Sequence, residues 1–471
     1  MIRKQWLIPA ITAILLSGQI LAQERYPGEH WQQYTSPEDA GWSSERLADA
    51  KEYADKIGSA GVLVIYDGAI LVHWGEIERR FMCHSIRKSF LSALYGIAAD
   101  RGEVSLHTTV GDLGIRDKPP LTEQEKNAEV IHLLKARSGV YHSAAYETES
   151  MASRRPERGS HAPGTYWYYN NWDFNTLGTI FEQSTGTTIF QAFQRQLAIP
   201  LQMEDYRMTD GYYHLEREHS LHPAYPLRMS ARDMARFGLL FLRNGRWNGR
   251  KIIPGNWVQQ STKAWSVASE YGRPDSPYGY GYLWWRYLKE PLVDSGLYSA
   301  LGYGGHAIDV VPEANLVMVH RVDTFWDLIF SDCIAESGPA VDGAARLELL
   351  QMILDARTSS PAKSPELKPY RAPDPPYDFA DLSPDSLAWY AGTYQFPGPY
   401  TATVALVDGE LLMTARGSGT FRLLPLQQGG FLLEDVNVRV RFTKLSTTHP
   451  GEIIIDFQHG DTCRGEYVLQ L

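Results

Sequence analysis

Apolar residues recur at helical spacing from Ile86 through Phe90, Leu91, Leu94, Ile97 and Ala98, and Gly102 follows. That period predicts a helix beginning at Ser85. Residues 44–57 carry a second amphipathic pattern. Between them, two β-rich runs over 61–72 flank Asp67-Gly68, a strong hairpin signal. The stretch 103–270 reads as mostly helical with Gly-, Pro- and aromatic-rich loops. Its clearest helix spans 230–244, with Ser230 as N-cap and Asp233 in the capping-box position. A strand is predicted over 281–285. A hairpin follows, with 308–311 and 316–319 joined by Pro312-Glu313-Ala314-Asn315. A closing helix is predicted over 340–356, just after Pro339. Strands at both ends with helices between them predict an α+β domain, an antiparallel sheet with flanking helices plus a helical subdomain.

The pattern then changes. Residues 359–377 hold Pro361, Pro365, Pro369, Pro373, Pro375 and Pro376, which predicts a stiff extended linker. Beyond it, short alternating runs at 401–407, 410–414, 421–424, 431–433, 436–442 and 453–457 are separated by turns such as Asp408-Gly409 and Gly429-Gly430. That spacing predicts a small C-terminal β-barrel or sandwich. The expected organisation is 1–22 leader, 23–357 α+β domain, 358–377 linker and 378–471 β domain.

With 471 residues, two domains are the prior. The formal net charge of -10 comes with no basic patch, so nucleic acid is not an expected partner. Arg3 and Lys4 precede an apolar run ending near Ile20-Leu21-Ala22, which predicts a secretory signal peptide cleaved after Ala22 and an exported, periplasmic or extracellular protein. No later segment is apolar enough to predict a membrane span. The three cysteines, Cys83, Cys333 and Cys463, leave at least one thiol outside an intramolecular pair. Sequence does not choose their pairing. A catalytic Cys83 would need a histidine base, and the adjacent His84 is poorly placed.

Ser85 stands three residues before Lys88, so a helix puts both on one face. A serine hydroxyl becomes a nucleophile when a neighbouring base takes its proton. A lysine serves as that base when desolvation or nearby cations lower its pKa. A second Ser-x-x-Lys, Ser360 to Lys363, lies in the proline-rich stretch and is a chance match. The rival chemistry is a metal site at His214, Glu216, Glu218, His219 and His222. Its histidine spacing is not that of a helical zinc motif, and it reads as a solvated polar loop. No metal or cofactor is expected. Gly-x-Ser-x-Gly does not occur.

A second segment runs Pro163-Gly164-Thr165-Tyr166-Trp167-Tyr168-Tyr169-Asn170-Asn171 and on to Leu177-Gly178. With Ser85-x-x-Lys88 it closely resembles the serine enzymes of the class C β-lactamase, esterase and DD-peptidase superfamily, whose second motif is Tyr-x-Asn. Two matches overlap, Tyr168/Asn170 and Tyr169/Asn171, and the flanking Pro-Gly and Leu-Gly favour the latter. The resemblance implies that Tyr169 shuttles the serine proton, its phenolate made more accessible by lysine charge. It also implies that Asn171 bonds Lys88 or the substrate acyl group. The third motif, Lys-Thr-Gly or His-x-Gly, aligns on Pro312 to Ala300-Leu301-Gly302. Gly302 would then let a carbonyl approach, and Tyr303 would lend an oxyanion-hole N–H. His306 is either part of that site or structural. No Lys-Thr-Gly occurs, so the lysine that holds a β-lactam or peptide carboxylate is missing.

The resemblance covers about residues 33–357. Residues 387–394, Leu-Ala-Trp-Tyr-Ala-Gly-Thr-Tyr, look like the start of the lipocalin-like β domains often appended to such enzymes. Within the superfamily the motifs are most similar to amide- and ester-cleaving members, including 6-aminohexanoate-oligomer hydrolases. The implied function is an exported serine hydrolase, an esterase or amidase acting through an acyl-enzyme on Ser85, with a small ester, amide or peptide as substrate. The alternatives are a β-lactamase or DD-peptidase acting on cell-wall peptides, and a non-catalytic penicillin-binding-like sensor.

Overall fold

The computed structural model describes residues 24–324, 338–398, 400–415, 419–436, 438–446, 450–456 and 462–468. The predicted leader and Cys333 lie outside them. Among the described residues, ten strands form one sheet. Its central strands Gly61–Tyr66, Leu316–Arg321 and Ala307–Val311 are buried along their whole length. They read as continuous apolar runs because both faces are covered. The helix Ala231–Leu242 packs on them, its Gly238 so close to Val317 and Ile308 that a Cβ would lie 2.6 Å from Val317 Cγ1. The predicted hairpin turns at Asp67 and Gly68, with φ of 45° and 77°. Two successive left-handed residues match the right-handed twist of the strands they join. Pairing is antiparallel except where Gln32–Tyr34 meets Ala69–Gly75.

Several expectations need correction. Residues 103–170 are mostly loop, with only short helices such as Val130–Leu134. Residues 281–284 are a turn, closed by Gly281 N–H donating to Trp284 O, between the strands Tyr278–Tyr280 and Trp285–Tyr287. Aromatic-rich sequence there serves both strands and turn, so pattern alone misplaced the strand. Ser230 caps its helix as expected, but Asp233 turns outward to accept from the backbone N–H groups of Glu204, Asp205 and Tyr206. The closing helix is Gly343–Asp355, capped by Asp342. The linker is not simply a spacer. Its Leu367–Pro369 adds an edge strand to the sheet beside Gln32–Tyr34. Proline is tolerated there because an edge strand need not donate outward.

The C-terminal strands close into a barrel. Gly392–Gln395 and Thr462–Val468 were not visible in the pattern, and their mutual pairing, Thr393 opposite Val468, completes the closure. An ionic seam joins the barrel to the α+β domain. Arg80 Nε donates to Asp435 Oδ2 at 2.8 Å, Arg207 donates to Glu434 at 2.6 Å, and Arg228 donates to Thr420 O at 2.6 Å while lying over the Phe421 ring. Arg80 immediately precedes the strand Phe81–Met82, which leads into Ser85.

Candidate active site

Ser85 is half-buried at the start of the helix Ile86–Asp100. Its hydroxyl accepts from Lys88 Nζ at 2.9 Å, and the same amine donates to Tyr169 Oη at 2.8 Å. Tyr169 comes from the segment just before the helix Asn171–Thr185. Lys88 and Tyr169 are both buried, so the serine is the member open to a ligand. The residue before Ser85 is strained. His84 has φ of 47°, in the left-handed region that non-glycine residues rarely enter. Such strain clusters at functional sites.

Burial pushes the Lys88 amine well below its ordinary pKa, and the charges of Arg87 and Arg273 push the same way. A neutral amine has the lone pair that general-base chemistry needs. Arg87 is itself buried. One guanidinium nitrogen donates to His84 O at 2.8 Å, while Nε and Nη2 find no hydrogen-bond partner. The cation is instead sandwiched near the rings of Tyr146 and Tyr225. Tyr169 moves opposite to the expected direction. Burial raises its pKa, outweighing the hydrogen bond with Ser85 and the charges of Arg87 and Arg273. It stays a phenol at neutral pH, because burial disfavours the phenolate.

The overlap in the second motif resolves geometrically. Tyr168 Oη donates to Met151 O at 2.8 Å and so is engaged away from Lys88. Asn170 is the helix N-cap, accepting from Trp172 N–H. Asn171 does not bond Lys88. Its Nδ2 donates to Tyr146 O at 2.5 Å, and its buried Oδ1 has no hydrogen-bond partner. Helix register turns it toward the 143–146 loop. In the third motif, Ala300 is fully buried. Gly302 lies so close to the nucleophile segment that a Cβ would sit 2.7 Å from Cys83 O. Tyr303 is exposed, its ring 5.6 Å from that of His84. His306 is buried against His84, and burial and neighbouring cations hold it neutral. Cys83 is buried in the core.

The rival histidine cluster is only partly assembled. Glu216 bridges His214 at 2.7 Å and His219 at 3.5 Å, and Glu216, Glu218 and His219 lie close enough to share an ion. His222 is separate, buried and bonded to Thr179. No helix among the described residues is long and apolar enough to cross a membrane.

Residues 45–322 match the family model described as Beta-lactamase. The chain belongs to the Beta-lactamase family. A Bacillus anthracis protein assigned as a 6-aminohexanoate-dimer hydrolase shares the fold at TM-score 0.51 and 20% identity, covering 70% of this chain and 89% of its own. A penicillin-binding protein from Bacillus halodurans aligns at TM-score 0.46 and 16% identity, over 64% of this chain and 99% of its own. An uncharacterized protein of Alkalihalophilus pseudofirmus is 21% identical over 56% of this chain and 84% of its own length. The α+β domain with its appended barrel is therefore the architecture that the motifs implied.

Sequence reasoning missed Arg273. It stands in the loop before the Tyr278–Tyr280 strand, 5.6 Å from the centre of the Tyr169 ring and 5.7 Å from that of Trp167. No motif marks it. Only the tertiary fold brings it beside Lys88.

Proposed function

We propose that this β-lactamase-family protein is an exported serine hydrolase that cleaves ester or amide bonds through an acyl-enzyme on Ser85. The observation that carries the reading is the continuous contact from Ser85 Oγ to Lys88 Nζ to Tyr169 Oη, with the amine buried and its pKa pushed down by that burial. In the first step, Lys88 accepts the Ser85 proton as Oγ attacks the carbonyl. Tyr169, still protonated, then donates toward the leaving group and recovers a proton from Lys88. Water repeats the cycle in reverse to release the acid. The positive end of the Ile86–Asp100 helix supports charge developing at this point. The β-lactamase and DD-peptidase alternatives lack their cation at its family position. The residue aligned with the family's carboxylate-holding lysine is Ala300, fully buried and without charge.

The test is covalent. A fluorophosphonate probe should add one adduct by intact mass, mapped to Ser85 and lost in Ser85→Ala. Labelling that persists in Ser85→Ala, or a parent chain inert to every ester and amide offered, would remove the reading in favour of a non-catalytic binder.

A further inference from the structure

We propose that Arg273 is the specificity anchor of this site, docking a carboxylate carried by the substrate. This deepens the hydrolase reading and rests on it for the position of the scissile bond.

Most arginines near the site are committed. Arg155 pairs with Glu147, Arg158 with Glu125 and Arg137 with carbonyls and hydroxyls. Arg273 is not. Among the described residues its guanidinium has no hydrogen-bond or ion-pair partner, and it lies over the rings of Trp167 and Tyr169 with Arg154, Tyr168 and Tyr280 close enough to act on its charge. Asp275, two residues on, does not reach it. The loop fixes its direction. Ser276 N–H donates to Arg273 O at 2.9 Å across Pro274, a turn that runs straight into the sheet. The guanidinium is half-buried, so it has lost part of its hydration while remaining open to a ligand.

A second cation reinforces the field. Arg154 is close enough to Arg273 to oppose its charge. Its Nε donates to Ser150 O at 2.9 Å, and no carboxylate pairs with it among the described residues. Arg154 is exposed and solvated, whereas Arg273, half-buried beside the Tyr169 ring, has given up hydration that an anion would replace. The planar fork of arginine suits a carboxylate in particular. The charge that the family places on its third motif is absent here, and Arg273 supplies one from a different element.

The experiment compares matched substrates. The first pair is mono-p-nitrophenyl glutarate against p-nitrophenyl butyrate, with the carboxylate on the acyl side. The second is 4-acetoxybenzoate against phenyl acetate, with it on the leaving side. In at least one pair, kcat/KM should favour the anionic member by about 10-fold or more, the size of a charged hydrogen-bond contribution. Arg273→Ala should collapse that ratio through KM, Arg273→Glu should invert it, and Arg154→Ala should weaken it in part. The ratio cancels any effect of Arg273 on the Lys88 amine, since both members share one proton path. A structural role would slow both alike. Binding separates this inference from the hydrolase reading. By calorimetry, Ser85→Ala should bind the favoured anionic ester about 10-fold more tightly than Ser85→Ala/Arg273→Ala does. That binding difference, found alongside a parent chain that hydrolyses none of the four esters, would sustain the anchor and sink the hydrolase. Equal binding, or no anionic preference in either pair, would overturn the anchor.

Discussion

Asp435→Asn tests whether the barrel helps hold the segment that delivers the nucleophile. Asp435 sits at φ of 66°, so asparagine is the replacement that keeps the left-handed backbone while deleting the charge. Its carboxylate accepts from Arg80 Nε at 2.8 Å and from the Arg80 backbone N–H at 3.3 Å. The two side chains are 6% and 11% exposed, so solvent screens the pair little. Breaking a buried pair outright costs about 3–5 kcal/mol. Here Arg80 keeps Glu434 at 3.3 Å and Asp210 at 3.5 Å, and the amide oxygen still accepts one hydrogen bond. Changing a charged bond to a neutral one then costs about 1.5 kcal/mol. Urea unfolding at neutral pH should show a lower midpoint at unchanged slope, with that loss. In an Arg80→Met background the substitution should cost far less, because the coupling has gone. The fluorophosphonate labelling rate should fall as well, since Arg80 directly precedes the Phe81–Met82 strand leading to Ser85. An unchanged midpoint, or the same loss with and without Arg80, would refute the seam as a stabilising contact.

Two further substitutions address the proton path. Lys88→Met should lower acylation by about 100-fold or more, and it should also flatten the dependence of stability on pH. The folded amine titrates below its unfolded value, so between the two values unfolding takes up a proton and the parent grows more stable as pH rises toward the ordinary lysine range. A parallel slope in the variant would show that Lys88 is an ordinary charged lysine. Tyr169→Phe should lower acylation by a similar factor of about 100, whereas Tyr168→Phe should cost chiefly the bond to Met151 O, about 1 kcal/mol of stability. The reverse ranking in a labelling assay would shift the tyrosine assignment by one residue.

What the sequence made legible was local. Ser85 and Lys88 are neighbours on one helical turn, so their contact follows from spacing. The buried strands read directly from apolar runs. Tyr169 was legible only through its resemblance to a family motif, because its contact with Lys88 spans 81 positions. The barrel strand Thr462–Val468 escaped because its sequence, rich in polar residues, shows an apolar alternation too weak to announce an inward face. That Asn171 does not bond Lys88 was illegible for a further reason. A Tyr-x-Asn motif gives residue type and spacing, while the partner depends on where the 143–146 loop runs.

Charge balance was the least legible property, and it is the one that makes the site. Counting residues shows that this chain is acidic, with 55 Asp and Glu against 45 Lys and Arg. Yet around Lys88 the balance is reversed. Arg87 lies buried with two guanidinium nitrogens unbonded, Arg273 faces the Tyr169 ring without a carboxylate, and no acidic group is among the causes that shift the lysine. A lysine given a carboxylate in that position would be a permanent cation and no base at neutral pH. Surrounded by cations and excluded from water, it holds its proton more weakly, which is what the proposed transfer from Ser85 requires. In the proposed mechanism the same uncompensated charge would prepare the base and leave an arginine open at the edge of the site, giving activation of Ser85 and attraction of an anionic substrate one physical origin.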